Sequence, residues 1–125
     1  MDILISNSSG VPLYEQIEKQ IKSQIITGEL REGDALPSMR ILAKELKISI
    51  ITTKRAYEDL ERDGFIESVT GKGSFVKGIN RDIVKENMMF AIQELLETAV
   101  DKAVMGKVTL DELQKMLRLL YEEKK

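Results

Sequence analysis

The region from Leu36 to Val76 constrains the fold most strongly, because it encodes two short helices separated by a tight turn. Leu36-Pro37 disfavours helical backbone just before the first helix, and Ser38 is a suitable N-cap for it. A second N-cap candidate, Ser49, follows the turn, and apolar residues at helical spacing then continue to about Asp63. The sequence therefore predicts a helix-turn-helix pair.

Each helix of this pair has an apolar face that predicts which side chains are buried. In the first helix we assign to that face Ile41, Leu42, Ala43 and Leu46. In the second helix we assign to it Thr53, Ala56, Tyr57 and Leu60. The remaining positions carry polar, basic and apolar side chains that are free to contact a ligand.

A glycine-rich segment follows the second helix, which Gly64 is expected to end. The residues Phe65–Val69 and Ser74–Lys77 have the composition of strands, and Thr70–Gly73 joins them as a hairpin turn. A hairpin directly after a helix-turn-helix pair is typical of a winged helix. Its tip is basic and flexible.

Upstream of the pair, one more helix is predicted. Tyr14, Ile17, Ile21 and Ile25 recur at intervals of three and four residues, and Gly28 supplies a stop. This helix is expected to be the scaffold of the winged domain. The first residues contain an apolar triplet, Ile3–Ile5, for which we predict a short strand.

Two helices are predicted after the wing, from about Arg81 to Met105 and from Leu110 to about Glu122. Thr109 and Glu112 have the spacing of a capping box at the start of the second. A hairpin of this size does not support its own core, so its apolar stripes need another surface. We predict a homodimer, in which these contacts are made by Met88, Met89, Ile92, Leu95, Leu96, Ala99, Leu113, Leu117 and Leu120.

The alternative to a homodimer is that the hairpin folds back on its own winged helix.

Pairing of two copies also suits helix-turn-helix proteins, which commonly bind palindromic DNA with matching symmetry. We therefore predict a mainly α fold with a small β-hairpin, in which residues 1–78 form a winged helix-turn-helix DNA-binding domain and residues 79–125 form a two-helix C-terminal dimerisation segment.

The residues of the winged region resemble the GntR family of bacterial transcription regulators. The matching positions are Leu30, Gly33, Leu36, Pro37, Ser38, Arg40, Leu42, Ala43, Ser49, Thr52, Ala56, Leu60, Gly64 and Gly71–Val76. The chain departs from the family pattern at Glu32, where proline is usual, and at Ile50, where an arginine that contacts DNA is frequent. The short tail resembles the YtrA-like subfamily, whose members typically act as repressors.

The resemblance implies that the helix beginning at Ile50 enters the major groove and that the wing contacts DNA beside it. It also places Arg40 at a DNA-contacting position. An isoleucine can pack against a thymine methyl group, whereas it offers no donor to guanine. The predicted DNA-binding residues are Ser38, Arg40, Lys44, Ser49, Ile50, Ile51, Thr52, Lys54, Arg55, Lys72 and Gly73. Lys47 is a further candidate for a phosphate contact.

The charge distribution supports this interpretation. The net charge is -2, yet the stretch from Leu36 to Tyr57 holds five basic residues and one acidic residue. The segment from Ser68 to Arg81 holds three basic residues and no acid. A basic face on an otherwise acidic protein is typical of a DNA-binding protein. The basic face binds the DNA, and the acidic surfaces face away from it.

The composition disfavours an enzyme, since the chain has no histidine and no cysteine for acid–base, nucleophilic or metal chemistry. No cofactor is predicted. The sequence lacks a membrane-spanning stretch and a signal peptide, so we expect a cytoplasmic location and no membrane partner.

Two questions remain open in the sequence. The basic face could instead bind an acidic protein partner, which would make the winged helix a protein interaction module. We also expect any small-molecule effector to bind between subunits or domains, because the tail is too small to enclose a pocket. Met88, Met89 and Met105 are candidates to line such a site, and their alternative role is packing within the core.

Overall fold

The computed structural model describes residues 1–124, so Lys125, the last residue of the predicted dimerisation segment, lies outside the described residues. Within this range no helix combines the length and the apolar composition needed to cross a membrane. The order of elements confirms the mainly helical winged helix-turn-helix. The elements are α1 (Leu13–Thr27), α2 (Met39–Leu46), α3 (Ile50–Arg62), β1 (Ile66–Val69), β2 (Gly73–Val76), α4 (Arg81–Met105) and α5 (Leu110–Lys124).

The scaffold helix α1 provides the centre of the winged-domain core. Pro12 precedes it, where the missing amide proton of proline costs no helical hydrogen bond, and Gly28 ends it with a left-handed φ of 90°. The predicted core residues Ile17, Ile21 and Ile25 are buried. The helix packs mainly against α3, so it determines where α3 lies.

The two predicted caps of the helix-turn-helix pair are confirmed. Ser38 Oγ accepts a hydrogen bond from the Ile41 amide at 3.1 Å, and Ser49 Oγ accepts one from the Ile51 amide at 3.1 Å. Between the helices Lys47 adopts a left-handed conformation with a φ of 57°, which turns the chain from α2 into α3. The pair is therefore specified locally at both helix starts and at its turn.

Two buried side chains of α3 also hold the pair together. Thr53 Oγ1 donates a hydrogen bond to the Met39 carbonyl at 3.0 Å, and the Tyr57 hydroxyl donates one to the Pro37 carbonyl at 2.6 Å. Burial raises the pKa of the Tyr57 phenol. Both bonds fix the start of α2 against α3.

The predicted apolar face of α2 is wrong at one residue, because Ile41 is 53% exposed. Leu42 and Ala43 are buried, while Met39 and Leu46 pack against the core from partly buried positions. These four residues share one stripe of the helix, and Ile41 lies on its opposite side at 3.6 residues per turn.

The wing is an antiparallel hairpin in which Ile66 pairs with Val76 and Val69 pairs with Gly73. The loop before α2 extends this sheet, since Ala35 forms a bridge with Phe75 that the sequence analysis missed. On the other side, the Glu61 carboxylate of α3 accepts hydrogen bonds from the Ser68 amide at 3.2 Å and the Ser68 hydroxyl at 3.1 Å. The wing is thus attached both to the α1–α2 loop and to the end of α3.

The strand predicted for Ile3–Ile5 is not formed, although this segment does contribute to the core through Ile3. The segment is instead attached to α1 by glutamine side chains at four-residue spacing. Gln20 donates to the Leu4 carbonyl at 2.6 Å and accepts from the Leu4 amide at 2.9 Å. Gln16 makes an equivalent pair of bonds to the Ser6 backbone, and Gln24 donates one to the Asp2 carbonyl at 2.8 Å.

A carboxyl group lies in the contact between α1 and α3. Oε1 of Glu18 is buried without a hydrogen-bond partner among residues 1–124. Burial, together with the nearby Asp59 carboxylate, raises the pKa of Glu18 to about 7, which the positive charge of Lys22 only partly opposes and the negative charge of Asp63 reinforces. When Glu18 is protonated, its carboxyl can donate a hydrogen bond to Asp59, and this lowers the pKa of Asp59. Near neutral pH the two carboxyls therefore tend to share one proton.

We expect Glu18→Gln to stabilise the fold at about pH 8 by roughly 1 kcal/mol, after allowing for partial solvent access. The folded-state pKa of Glu18 lies above the unfolded value, so the folded chain binds more protons and loses stability as pH rises from about 4.5 to about 7. Glutamine keeps a donor for Asp59 and removes the charge. Urea unfolding at about pH 5 and pH 8 measures the effect.

The chain contains no histidine, so few other groups titrate in this pH range. Glu15→Gln, another charge-removing change on α1, is the matched control. If the stability of the unaltered chain and of Glu18→Gln changed equally between the two pH values, Glu18 would not be the responsible group.

The chain forms two compact units, the first of which is Met1–Arg81. Ile79 packs against the core of the first unit, and the Arg81 guanidinium donates to the Ile26 carbonyl at the end of α1 at 2.9 Å. The second unit contains the helical hairpin. Its predicted capping box is confirmed, because the Glu112 amide donates to Thr109 Oγ1 at 3.2 Å and the Glu112 carboxylate accepts from the Thr109 hydroxyl at 3.1 Å.

Candidate nucleic-acid interface

The first turn of α3 presents two isoleucines to solvent. Ile50 is 42% exposed and Ile51 is 75% exposed, so neither is sealed into the core of the winged unit. Thr52, the next residue, is half-buried. Both isoleucine side chains are therefore accessible to base edges at the floor of a DNA groove.

Helix α2, whose Met39 carbonyl accepts a hydrogen bond from Thr53 of α3 at 3.0 Å, carries three more of the predicted site residues. Ser38 is the N-cap of α2, Arg40 is in the first helical turn, and Lys44 is in the last. All three are exposed, and so is Lys47 in the turn that leads to α3. Arg40 has no ion-pair partner among the described residues. Its guanidinium is therefore free to contact an anion.

The two cations in the N-terminal half of α3 each have an acidic neighbour one helical turn later. Lys54 Nζ lies 3.9 Å from Glu58 Oε1, and Arg55 Nε lies 3.9 Å from Asp59 Oδ2. Exposed pairs at this distance contribute little to stability, so either cation can exchange its carboxylate for a phosphate at small cost. Each acid follows its cation by four residues in the sequence. That spacing alone indicates that acidic side chains partly neutralise the basic face.

A contact that the sequence analysis missed joins Arg55 to α1. The guanidinium carbon of Arg55 lies 3.9 Å from the centre of the Tyr14 ring. The sequence predicts Tyr14 only as a core-facing residue of α1, and the ring is half-buried against the core. The structure therefore places Arg55 at the edge of α3 where α1 begins.

The wing tip carries the remaining predicted DNA-binding residues. Lys72 and Gly73 are exposed, and Gly71 and Gly73 have left-handed φ values of 77° and 106° that favour glycine. The Lys72 amide donates to the Val69 carbonyl at 2.9 Å and closes the turn. The backbone of the tip is thus well defined, while the Lys72 side chain is free.

The helical hairpin leaves its apolar residues uncovered. Among the described residues of α4 and α5, only Ala103 is buried. A groove of ≈ 430 Å³ between the helices is lined by predicted dimerisation residues, namely Leu96, Ala99, Leu113, Leu117 and Leu120. A second groove of ≈ 620 Å³ along α4 is lined by Met89, Ile92 and Phe90. Phe90, which is also exposed, was missed as a candidate contact.

Comparison with known proteins agrees with this geometry. Residues 13–76 match the family model for bacterial regulatory proteins of the gntR family. The chain is 34% identical over 116 residues to the HTH-type transcriptional repressor YtrA of Bacillus subtilis (strain 168), with 93% of this chain and 89% of that protein covered.

Solved structures show the same fold. A transcriptional regulator from Oenococcus oeni superimposes with a TM-score of 0.74 at 27% identity, covering 94% of this chain and 97% of that one. The DNA-binding domain of AraR, solved in complex with operator ORX1, superimposes with a TM-score of 0.54 at 28% identity, covering 61% and 95%. The chain therefore belongs to the GntR family of bacterial regulatory proteins.

Proposed function

We propose that this protein is a sequence-specific DNA-binding transcription regulator that represses by occupying a palindromic operator as a homodimer. The observation that carries the proposal is the exposed, capped start of α3, where Ile50 and Ile51 lie beside the basic residues of α2. The AraR domain bound to its operator supports this use of the fold. The protein would act in the cytoplasm, where bacterial DNA is found.

In this arrangement α3 enters the major groove and the wing contacts the neighbouring backbone. Phosphate contacts come from Lys44, Lys47, Arg55 and Lys72, together with the backbone amides at the starts of α2 and α3. Arg40, Ile50 and Thr52 are the residues that we assign to base contacts. Ser38 and Ser49 orient the helices through their caps.

The homodimer rests on the exposed apolar residues of α4 and α5. A helix pair with a single buried residue gains little from folding alone, so a second copy that fills the grooves supplies the missing burial. An exposed apolar surface this extensive is typical of a protein interface. A small-molecule effector would then bind between the subunits, where the grooves are closed off from water.

The proposed function can be tested by selecting bound fragments from genomic DNA and measuring their affinity by gel shift. We expect a palindromic consensus and a binding constant that falls steeply with added salt. The same assay on a random duplex measures the non-specific contribution. If the protein retarded no DNA even at low salt, an acidic protein partner for the basic face would become the better assignment.

A change at Ile50 tests the assigned orientation of α3. We expect the base pair facing Ile50 to be A·T, because the isoleucine can pack on a thymine methyl group. Ile50→Arg should shift the preference at that position toward guanine and should strengthen salt-sensitive binding to random DNA. Binding-site selection with both proteins in parallel measures the shift.

The control is Leu4→Arg, which adds the same charge at an exposed residue outside the helix-turn-helix pair. It should leave the selected sequence unchanged. Identical selected sequences from Ile50→Arg and the unaltered chain would mean that Ile50 does not face a base.

A further inference from the structure

The position of Arg55 indicates more than a general attraction to DNA. Its side chain is 60% exposed even though its guanidinium lies over the Tyr14 ring and near Asp59. One face of the guanidinium is thus supported by protein, while much of the group remains open to solvent. This is the arrangement expected for a cation that is held in place before its ligand arrives.

Tyr14 is a firm support for this cation. It lies in the first turn of α1, and its ring is half-buried against the core. An aromatic ring attracts a guanidinium over its face, and the contact restricts the rotamers of a long side chain. The entropy that Arg55 would otherwise lose on binding is then largely lost already in the free protein.

The direction of Arg55 also matters. Ile51 and Lys54 point away from the core at the exposed side of α3, whereas Arg55 leans onto the neighbouring helix α1. Phosphates flank the groove that a recognition helix enters, and base edges lie at its floor. A guanidinium held at the flank of α3 is therefore placed for a phosphate rather than for a base.

Asp59 completes the support without abolishing the charge of Arg55. The Asp59 carboxylate is held in place by Arg62, whose Nη1 lies 3.0 Å from Asp59 Oδ1. The separation of 3.9 Å between Arg55 and Asp59 is longer than a hydrogen bond. Asp59 therefore orients Arg55 without occupying its donors.

Building on the proposed DNA-binding function, we propose that Tyr14 is a positioning residue that holds Arg55 for contact with one DNA phosphate beside the major groove. The role of Tyr14 is indirect, since Arg55 makes the contact. This assigns a binding role to a residue of the scaffold helix, outside the helix-turn-helix pair.

A double-mutant cycle on the full chain tests the proposal, with a palindromic duplex recovered by selection and a random duplex as probes. Arg55→Ala should weaken binding to both duplexes and reduce the slope of log K against log salt by about 1. Tyr14→Leu should weaken binding about two- to five-fold. In the Arg55→Ala background, Tyr14→Leu should have no further effect, and Tyr14→Phe should retain the affinity of the unaltered chain.

Phe65→Leu is the matched control, because the Phe65 ring makes the other cation–π contact of the winged unit, with Lys22 Nζ 5.3 Å from the ring centre. It should leave operator affinity unchanged. Thermal unfolding establishes that each variant is folded, and Tyr14→Met, which keeps the apolar bulk, replaces Tyr14→Leu if the latter unfolds.

An equal loss from the Tyr14 substitution with and without Arg55 would overturn the proposal, since it would indicate a structural role alone. So would a change of base preference in Arg55→Ala. Either result leaves the proposed function intact. If the unaltered chain did not distinguish its selected duplex from random DNA, the proposed function itself would fail, and the role of Tyr14 with it.

Discussion

A chain carrying Leu96→Asp should sediment as a monomer at micromolar concentration and lose about 100-fold or more in affinity for a palindromic operator. Leu96 lines the groove between α4 and α5 and also the groove along α4, so it is central to the apolar surface of the hairpin. A carboxylate there would be desolvated in the dimer without a partner. Two linked recognition units bind far more tightly than one, because the second contact becomes intramolecular.

The matched control for Leu96→Asp is Thr98→Asp, which adds the same charge at an exposed position of α4 that lines neither of these grooves. It should remain a dimer with unchanged operator affinity. Both variants should bind a single half-site as weakly as each other, because neither substituted residue belongs to the hydrophobic core of the winged unit. A dimeric Leu96→Asp chain with full affinity would contradict pairing through this surface.

The helix-turn-helix pair was predictable because its determinants are local in sequence. Ser38 and Ser49 each cap the helix that follows directly, and Gly28 ends α1 through its own backbone conformation. Such signals act within a few residues, so composition and spacing reveal them. The buried face of α3 was predicted for the same reason, since four apolar or small residues repeat at helical spacing.

The contacts that the sequence analysis missed join distant residues through polar side chains. The glutamines of α1 bind the backbone of the first residues, Glu61 binds Ser68 of the wing, and Tyr57 binds Pro37. The glutamines recur every four residues, but that spacing does not indicate what they bind, and the other two bonds produce no periodic pattern. A glutamine on a helix surface looks like a solvated residue until the segment beside it is known. The strand predicted for Ile3–Ile5 rests on the apolar triplet alone.

The sequence predicts an apolar face on α4 that is broader than one short partner helix would cover, but Phe90 is not among the residues assigned to it. Met88, Met89 and Phe90 are consecutive, so they span about 200° of the helix circumference. All three are exposed. A helix that is apolar on several sides needs more than one covering surface, which agrees with that prediction. In the proposed dimer, α5 covers one side and the partner subunit covers others.

The second large effect is expected from Arg40→Ala, which should weaken operator binding by about 1 to 3 kcal/mol. Ser38 fixes the start of α2, so Arg40 projects from the first turn of a defined helix. It has no competing ion pair among residues 1–124, in contrast to Lys54 and Arg55. Its whole hydrogen-bonding capacity is therefore available to DNA.

Affinity alone does not identify the group that Arg40 contacts, but sequence dependence does. If Arg40 binds a guanine edge, Arg40→Ala should relax the preference at one base pair of each half-site, while a phosphate contact should weaken all sequences alike and lower the salt slope by about 1. Arg31→Ala, which removes an exposed arginine from the α1–α2 loop, is the control and should change neither quantity. Unaltered operator affinity in Arg40→Ala would exclude both contacts, and the first turn of α2 would then lie away from DNA.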